Sequence, residues 1–291
     1  MTELLDPVLG WYAEHQRDLP WRRPTTSAWG VMVSEFMLQQ TPVARVLPVW
    51  EAWLSRWPDP TTLAASPSGE AVREWGRLGY PRRALRLHAA ATTIRDEHGG
   101  IVPSSYDVLR SLPGVGDYTA AAIASFAYGR RHVVLDTNVR RVLARACNGL
   151  EFPAASVTRA ERDLAASMLP PDDAPGTAAL WSVAVMELGA LICTASSPTC
   201  GRCPITDRCA WQLGGAPAYD GPPRKGQTYA GTDRQVRGRL LAVIRESDNP
   251  VPKHRLDTVW HLHEQRERAL GSLLADGLIA EPEPGFFTLP G

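Results

Sequence analysis

The chain has 291 residues, which is enough for one or two domains with a substantial hydrophobic core. Its 31 basic and 31 acidic residues give a formal net charge of zero, which argues against a protein that coats DNA through clustered lysines and arginines. No apolar run reaches the roughly 18 residues of a membrane span, and the N-terminus lacks a signal-peptide pattern. We therefore expect a cytoplasmic protein that does not enter a membrane.

Helical patterns dominate the body of the chain, residues 1–213, and strand-like alternation is scarce before residue 240. Residues 214–232 are rich in glycine and proline, a composition typical of a linker. Residues 233–291 then contain two helical patterns and a short strand-like end. The sequence thus predicts an all-α body followed by a linker and a small C-terminal domain.

The first candidate for chemistry is Glu35, which has apolar neighbours on both sides in the segment 29–38. This pattern predicts a largely buried helix, where a carboxyl group favours its protonated form. A protonated carboxyl at neutral pH is what general acid catalysis requires. The alternative is a glutamate at the edge of the core that accepts a backbone hydrogen bond, and for Glu35 taken alone this alternative is favoured.

The string Leu112-Pro113-Gly114-Val115-Gly116 lies between two helical patterns. Proline ends the first helix, and the glycines permit a tight turn whose amides face outward at the start of the second helix. Such a turn binds anions, and its carbonyls could hold a monovalent cation. A generic Gly-x-Gly turn would favour a simple connection between helices, whereas the full string favours binding of a DNA phosphate.

Asp136 follows the apolar residues 133–135 and precedes a helical pattern that begins near Asn138. At a helix N-cap, amides and the helix dipole favour the carboxylate anion. A plain structural cap is a strong alternative for this residue alone. Glu35 and Asp136 together would provide a neutral acid and a fixed anion, the division of labour that is used at glycosidic carbon.

Four cysteines lie within one short window, Cys193, Cys200, Cys203 and Cys209. In a cytoplasmic chain this density indicates a metal or cluster site before it indicates disulfides. Structural zinc commonly uses two close pairs of cysteines, whereas this window has one, and an iron–sulfur cubane also takes four cysteines. The spacing alone leaves zinc and a cluster about equally favoured, and Cys147 is assigned to packing.

Several motifs in residues 1–213 resemble the endonuclease III superfamily and, within it, the MutY family. They are Arg17-Asp18-Leu19-Pro20-Trp21-Arg22, Ser34-Glu35-Phe36-Met37-Leu38-Gln39-Gln40-Thr41, the Leu112–Gly116 hairpin, Leu135-Asp136-Thr137-Asn138-Val139-Arg140-Arg141-Val142, and the cysteine spacing. The resemblance implies a helix-hairpin-helix DNA glycosylase fold, with a six-helix lobe at 20–128 and an iron–sulfur lobe at 1–19 plus 129–213. It also implies an active site between the lobes and a [4Fe–4S] cluster on the four cysteines. The implied activity is hydrolytic removal of adenine mispaired with 8-oxoguanine or guanine in double-stranded DNA, by a monomer associated with the nucleoid.

The same resemblance implies individual roles for residues at the active site. Glu35 would protonate N7 of the flipped adenine, and Asp136 would stabilise the cationic sugar. Tyr118 occupies the place of a lysine in the lyase relatives, and Asn138 would help to hold the catalytic water. Gln40 would fill the gap left by the flipped base. The adenine pocket would be formed by Arg17, Trp21, Arg22 and Glu187, and phosphate binding would use Leu112, Gly114, Val115 and Gly116.

The chain departs from the MutY pattern at its C-terminus. Only about 60 residues follow the linker, too few for the MutT-like domain that reads 8-oxoguanine in the family, and their pattern resembles a small winged helix at 233–291. Three alternative functions remain. A glycosylase with lyase activity would need an amine where Tyr118 stands. A thymine or uracil mismatch glycosylase is compatible with Tyr118, and an iron–sulfur DNA-binding regulator would not need Glu35 and Asp136.

Overall fold

The structure, a computed structural model, describes residues 2–171, 176–221 and 229–291. Over these ranges the chain is helical apart from one small sheet near its C-terminus, as the sequence predicted. No helix in the described ranges has the length and apolar character needed to cross a bilayer. In chain order the helices are α1 (Thr2–His15), α2 (Ala28–Leu38), α3 (Val43–Arg56), α4 (Pro60–Ala64), α5 (Ser68–Trp75), α6 (Arg82–His98), α7 (Tyr106–Ser111), α8 (Asp117–Tyr128), α9 (Thr137–Asn148), α10 (Arg159–Ser167), α11 (Thr177–Leu191), α12 (Ala210–Leu213), α13 (Asp233–Arg245), α14 (Lys253–Asp257) and α15 (His263–Ala275).

The first of two compact units comprises Met1–Val31, Ser104–Ser111 and Val115–Pro223. Its core is built from the apolar faces of α1, α9 and α11, with Val8, Val142 and Leu188 at most 4% exposed. Burial of aliphatic side chains from these three helices stabilises the unit. The same helices carry Asp136 at the start of α9 and Glu187 on α11, so the core fixes both carboxyl groups.

The second compact unit comprises Met32–Pro103, Leu112–Gly114 and Arg224–Gly291. A tryptophan cluster forms part of its core, in which the Trp53 ring packs edge-on against Trp57 and Trp75 at centroid distances of 4.7 and 5.7 Å. All three rings are at most 2% exposed. Edge-to-face aromatic packing of this kind adds to the stabilisation from burial alone.

The C-terminal piece has the element order of a winged helix. Strands β1 (Val251–Pro252), β2 (Ala280–Glu283) and β3 (Phe286–Thr288) form an antiparallel sheet with the order β1–β3–β2. The register pairs Val251 with Phe287, and α13 and α15 pack against each other. Helix α13 precedes the sheet, and α14 and α15 lie between the first two strands in sequence. This arrangement agrees with the small winged-helix-like piece expected from the sequence.

The compact units divide the chain at other residues than the predicted lobes 1–19 plus 129–213 and 20–128. Helix α8 belongs to the first unit, because its small residues Ala121 and Ala122 pack with Val134 and Met186. The described residues of the C-terminal piece belong to the second unit, where the Gly69 amide donates to the Pro290 carbonyl at 2.9 Å. A close approach of these two segments requires glycine, since a Cβ at residue 69 would lie 2.3 Å from the Pro290 oxygen.

Part of the predicted linker 214–232 lies outside the described residues, namely 222–228. Its first described part packs on the first unit. The Trp211 indole donates to the Pro217 carbonyl at 2.8 Å, and the Tyr219 ring meets Phe152 edge-on at 5.6 Å. These contacts show that residues up to 221 are attached to the unit that carries the cysteines.

Candidate active site and cysteine cluster

Glu35 lies near the end of α2 and is 6% exposed. Its helix neighbours Ser34, Phe36 and Met37 are at most 1% exposed, so the segment is buried as its apolar composition predicted. The structure thus places the candidate acid on a buried helix, as the sequence predicted.

A tight turn follows α2 and carries Gln40 at a φ of +56°, a conformation that residues other than glycine rarely adopt. The buried guanidinium of Arg83 holds this turn. Its Nη1 donates to the carbonyls of Phe36 at 2.8 Å and Gln39 at 2.6 Å, and its Nη2 donates to the Thr41 hydroxyl at 3.1 Å. Burial lowers the pKa of Arg83 to about 10. Sequence reasoning missed Arg83, because nothing in a helical Arg-Arg pair shows which arginine points inward.

The hairpin between α7 and α8 has Gly114 at a φ of +77°. A Cβ there would lie 2.6 Å from the Arg86 Cβ, so glycine is needed both for the turn and for the close packing. Gly116 has a φ of −94° and is the N-cap of α8, so it does not need the left-handed conformation. Leu112 and Val115 are 2% and 5% exposed and anchor the turn. The first amides of α8 follow this turn directly, and their binding of an anion stays a prediction.

Asp136 is the N-cap of α9, as predicted. Its carboxylate accepts hydrogen bonds from the Val139 amide at 2.6 Å and from Asn138 Nδ2 at 2.7 Å. Burial nevertheless raises the pKa of Asp136, and these donors together with the charge of Arg141 only partly oppose it. This direction is opposite to the one expected from the N-cap position alone, because desolvation outweighs the donors.

Arg141 connects this carboxylate to the cysteine window. Its Nη2 donates to Asn138 Oδ1 at 2.8 Å and to the Gly189 carbonyl at 2.7 Å, and its Nε donates to the Cys193 carbonyl at 2.7 Å. A Cβ on residue 189 would lie 2.7 Å from the Asn138 Cβ, so Gly189 permits this close packing. Sequence reasoning missed Arg141, although its place three residues after Asn138 on one helix face was a usable signal.

Tyr118 lies in the first turn of α8 and is half-buried. It packs on a small cluster that contains Ala121, Ala122 and Val134. Because Val134 is two residues before Asp136, this packing brings Tyr118 to the segment that carries the candidate carboxylate.

The predicted adenine-pocket residues form one charged network around Glu187, which has no exposed surface. The carboxylate accepts from Arg17 Nε and Nη2 at 2.7 Å each and from Arg22 Nη2 at 2.8 Å. These donors lower the pKa of Glu187 to about 2, against an opposing effect of burial. Trp21 is 7% exposed and lies between the two arginines in sequence. The structure thus brings Arg17, Arg22 and Glu187 together.

One nitrogen of the Arg22 guanidinium is available to a ligand. Among the described residues its buried Nη1 has no hydrogen-bond partner, while Nη2 is used by Glu187. The guanidinium lies over the Tyr12 ring at 6.0 Å from the centroid, and burial raises the pKa of the Tyr12 hydroxyl. A buried unsatisfied donor is costly, so a ligand with an acceptor atom would be stabilised here.

Cys193, Cys200, Cys203 and Cys209 line one cavity with Arg145 and Gln212. Arg145 Nη1 lies 3.3 Å from Cys193 Sγ, and Gln212 Nε2 lies 3.2 Å from Cys200 Sγ. N–H donors directed at sulfur stabilise thiolates and tune a cluster that they bind. Arg145 is 1% exposed and stacks on Trp211 at 4.7 Å, which fixes its direction.

The lining of this cavity can be compared with the ligands that a metal group requires. Burial raises the pKa of Cys203 to about 11, so its free thiol holds its proton and a bound metal must displace that proton. Four cysteine side chains on one cavity match the four thiolates that a [4Fe–4S] cluster takes, so the residues present fit such a cluster.

Two families of sequences match the chain. The HhH-GPD superfamily of base excision DNA repair proteins matches residues 33–166. The iron–sulfur binding domain of endonuclease III matches residues 193–209, the window that begins and ends with the outer cysteines. The chain therefore carries an iron–sulfur binding domain, which decides between the zinc and cluster interpretations in favour of a [4Fe–4S] cluster.

An adenine DNA glycosylase of Mycobacterium tuberculosis is 54% identical over 286 residues, covering 98% of this chain and 92% of that protein. This match includes the C-terminal piece, which lies outside both matched family regions. The similarity therefore extends to the short tail as well as to the helical body.

Two solved structures share the fold of the body. A thermostable thymine-DNA glycosylase superimposes with a TM-score of 0.65 at 25% identity, over 72% of this chain and 95% of that one. Endonuclease III in a non-covalent DNA complex superimposes with a TM-score of 0.61 at 22% identity, over 72% of this chain and 94% of that one. These likenesses confirm the predicted helix-hairpin-helix glycosylase fold.

Proposed function

Because this chain belongs to the adenine DNA glycosylase family, we propose that it hydrolyses the N-glycosidic bond of adenine mispaired with 8-oxoguanine or guanine in duplex DNA. The family assignment supports a base excision repair glycosylase, and the mispair is the proposed part. The observation that carries the proposal is the pair of carboxyl groups in different environments. Glu35 lies on the buried helix α2, whereas Asp136 caps α9 and accepts two hydrogen bonds.

The acid step is assigned to Glu35. A protonated carboxyl group can deliver its proton to N7 of the flipped adenine, which turns the base into a neutral leaving group. Departure of the base leaves an oxocarbenium ion on the sugar.

Stabilisation of the positively charged sugar is assigned to the Asp136 carboxylate. A positive charge developing on the sugar favours the ionised form of a nearby carboxyl group and offsets the effect of burial on its pKa. Asn138 orients this carboxylate through Nδ2 and retains a second Nδ2 hydrogen that can hold the attacking water. The Tyr118 hydroxyl cannot form a Schiff base, so the reaction ends at an abasic site without strand cleavage.

The base pocket is assigned to Arg17, Trp21, Arg22 and Glu187. Glu187 orients both arginines, and the unpartnered Arg22 Nη1 supplies a donor for a ring nitrogen of adenine. Trp21 provides an aromatic surface beside them. An adenine ring offers acceptors at its ring nitrogens, so the donor matches the base.

The [4Fe–4S] cluster would be held by Cys193, Cys200, Cys203 and Cys209. When bound, it supplies four iron–thiolate bonds that fix the loop 193–209. Arg145 and Arg141 connect this loop to α9, so an ordered loop also supports the helix that begins at Asp136.

DNA binding is assigned to the hairpin Leu112–Gly116, whose amides at the start of α8 would bind a phosphate and whose carbonyls would hold a monovalent cation. Gln40 would enter the gap left by the flipped adenine. We expect the protein to act as a monomer on nucleoid DNA in the cytoplasm of its cell.

The proposal is tested by single-turnover excision on four duplexes with A·8-oxoguanine, A·G, G·T and thymine glycol. We expect rapid release of adenine from the first two and none of the other bases. Release of thymine from G·T would instead support a mismatch thymine glycosylase, the activity named for the solved structure with a TM-score of 0.65. Duplex binding without release of any base would support the noncatalytic regulator.

A further inference from the structure

The C-terminal piece is joined to α5 by two arginines that donate hydrogen bonds in opposite directions. Arg245 is the last residue of α13, and its Nη1 donates to the carbonyl of Gly76, the C-cap of α5, at 2.5 Å. Arg73 on α5 donates in return to the Arg245 carbonyl and, at 3.3 Å, to the Ser247 carbonyl. The last carbonyls of a helix lack partners within that helix, and a positive charge is favoured at that end. Each member of this arginine pair therefore caps the end of the helix that carries the other.

The loop 76–79, which begins at this joint, is also bonded to the turn that follows α2. Leu78 is 3% exposed, and its carbonyl accepts a hydrogen bond from the Thr41 hydroxyl at 3.2 Å. The Gly79 carbonyl accepts from Arg83 Nη2 at 3.1 Å. The loop is thus held by the C-terminal piece where it begins and by side chains near the end of α2 where it finishes.

The Arg83 guanidinium links this loop to the helix of the candidate acid. Its Nη1 donates to the carbonyls of Phe36 at 2.8 Å and Met37 at 3.2 Å, in the last turn of α2. Phe36 directly follows Glu35 in the chain. The path from the C-terminal piece to Glu35 therefore consists of hydrogen bonds from side chains to main-chain carbonyls, all within the second unit.

Attachment of the C-terminal piece to the body is also provided at the start of α5. There the Gly69 amide donates to the Pro290 carbonyl at 2.9 Å, and the Ser68 hydroxyl donates to the Gly291 carbonyl at 3.1 Å. These two bonds do not involve the loop 76–79. The arginine pair bonds the first carbonyl of that loop, so it fixes the position of the loop as well as that of the C-terminal piece.

We propose that Arg245 and Arg73 are positioning residues for adenine excision, through which the C-terminal piece holds the loop 76–79 and thereby the end of α2 that carries Glu35. A displacement of a catalytic group by about 1 Å can slow a reaction by about 100-fold, so support of this helix end affects the rate. The role assigned to the C-terminal piece needs no contact with DNA. The inference rests on the proposed function in one respect, the assignment of Glu35 as the acid.

The test measures single-turnover release of adenine at saturating enzyme, so that a change in duplex affinity does not enter the rate. Arg245→Met removes the donor to the Gly76 carbonyl and should slow release by roughly 10- to 100-fold. Arg245→Lys should restore most of the rate, because lysine retains the charge and an N–H donor. The matched control is Glu246→Gln, which removes the neighbouring exposed ion pair with Arg77 at 3.7 Å and should leave the rate unchanged.

Two further measurements separate positioning of Glu35 from a general loss of structure. In the Glu35→Gln background, Arg245→Met should cause no further slowing, because the group that it positions can no longer donate a proton. In the DNA-free protein, hydrogen exchange of the amides at 36–41 should be faster in Arg245→Met than in Glu246→Gln. If Arg245→Met is too unstable to assay, Thr41→Val removes the hydroxyl bond to the loop with little change of shape and should also slow release several-fold.

Release of adenine by Arg245→Met at the wild-type rate would overturn the inference. Equal slowing by Arg245→Met and Glu246→Gln would also overturn it, since any contact of the C-terminal piece would then serve as well. The same holds if Arg245→Met slows release equally with and without the Glu35 carboxyl group, because it would then act on another step. A wild type that releases no adenine would refute the proposed function instead, while hydrogen exchange at 36–41 would still decide whether the arginine pair holds the end of α2.

Discussion

Replacement of Arg141 by glutamine should reduce both stability and excision, because this buried side chain holds Asn138 against Asp136. The wild-type guanidinium is 9% exposed and makes three hydrogen bonds of 2.7–2.8 Å, to Asn138 Oδ1 and to the carbonyls of Gly189 and Cys193. Each buried acceptor left without a donor costs about 1–3 kcal/mol. Since glutamine can restore one of the three bonds and water can enter, we expect a loss of about 3–5 kcal/mol in the free energy of unfolding.

This loss should lower the melting temperature on the order of 6–20 °C, a range that thermal unfolding with the cluster intact measures directly. Excision should slow by about 100-fold, the usual effect of misplacing a catalytic group by about 1 Å. The more specific readout is the pH profile of single-turnover excision. Arg141 and the Asn138 hydrogen bond both lower the pKa of Asp136, so the variant should raise that pKa further. The acid limb of the profile should therefore move to higher pH.

Arg140→Gln is the matched control, since Arg140 is the adjacent residue on α9 and its side chain is also 9% exposed. Its guanidinium bonds to Glu161 and to the Ala154 and Ser156 carbonyls. The control should lose stability but keep the wild-type pH profile. An Arg141→Gln variant whose acid limb coincides with that of the wild type would refute the reasoning, even if its melting temperature falls.

Three further predictions concern the pocket, the cluster and the first turn of α8. The pKa of Glu187 is about 2 in the folded protein, and its ordinary value is 4.5. The ionised Glu187 carboxylate therefore stabilises the folded state fully above pH 5, and this stabilisation is lost as the pH falls through 2. This contribution is about 3 kcal/mol, and Glu187→Gln should remove that part of the acid-unfolding curve, measured by circular dichroism. Cys200→Ser should lower the iron content and DNA affinity more than the excision rate of the loaded fraction, and one zinc per colourless wild-type chain would contradict the cluster. Tyr118→Lys should give a weak borohydride-trappable adduct with DNA, and strong trapping by the wild type would contradict a reaction without a protein amine.

The sequence allowed prediction of the features that depend on local pattern. Apolar neighbours predicted the burial of Glu35, a polar residue after an apolar run predicted Asp136 as an N-cap, and the spacing of four cysteines predicted one shared cavity. Each of these follows from residues close together in the chain. The helical fold class was predictable for the same reason, since helical periodicity is a local signal.

The features that could not be predicted depend on contacts between distant parts of the chain. Arg83 binds carbonyls more than 40 residues away, and Arg141 reaches Cys193, 52 residues further along. From the sequence pattern alone, such arginines are predicted to be solvent-exposed helix residues. The raised pKa of Asp136 was also unpredictable, because it depends on how completely other elements cover the carboxylate.

The position of the C-terminal piece is another feature that the sequence did not predict. Its composition predicted a separate small domain, whereas a backbone hydrogen bond joins it to α5 through Gly69 and Pro290. A contact that depends on the absence of a Cβ at residue 69 leaves no periodic signal in the sequence.

The measurement that tests the central claim most directly is single-turnover release of adenine from an A·8-oxoguanine duplex by the wild type and by Glu35→Gln. The amide is nearly isosteric with the acid but cannot donate its proton, so the account predicts rapid release by the wild type and a rate at least about 100-fold lower in the variant. Duplex affinity should be almost unchanged, which separates chemistry from binding. Release by Glu35→Gln at the wild-type rate would contradict the assignment of Glu35 as the acid that drives adenine excision.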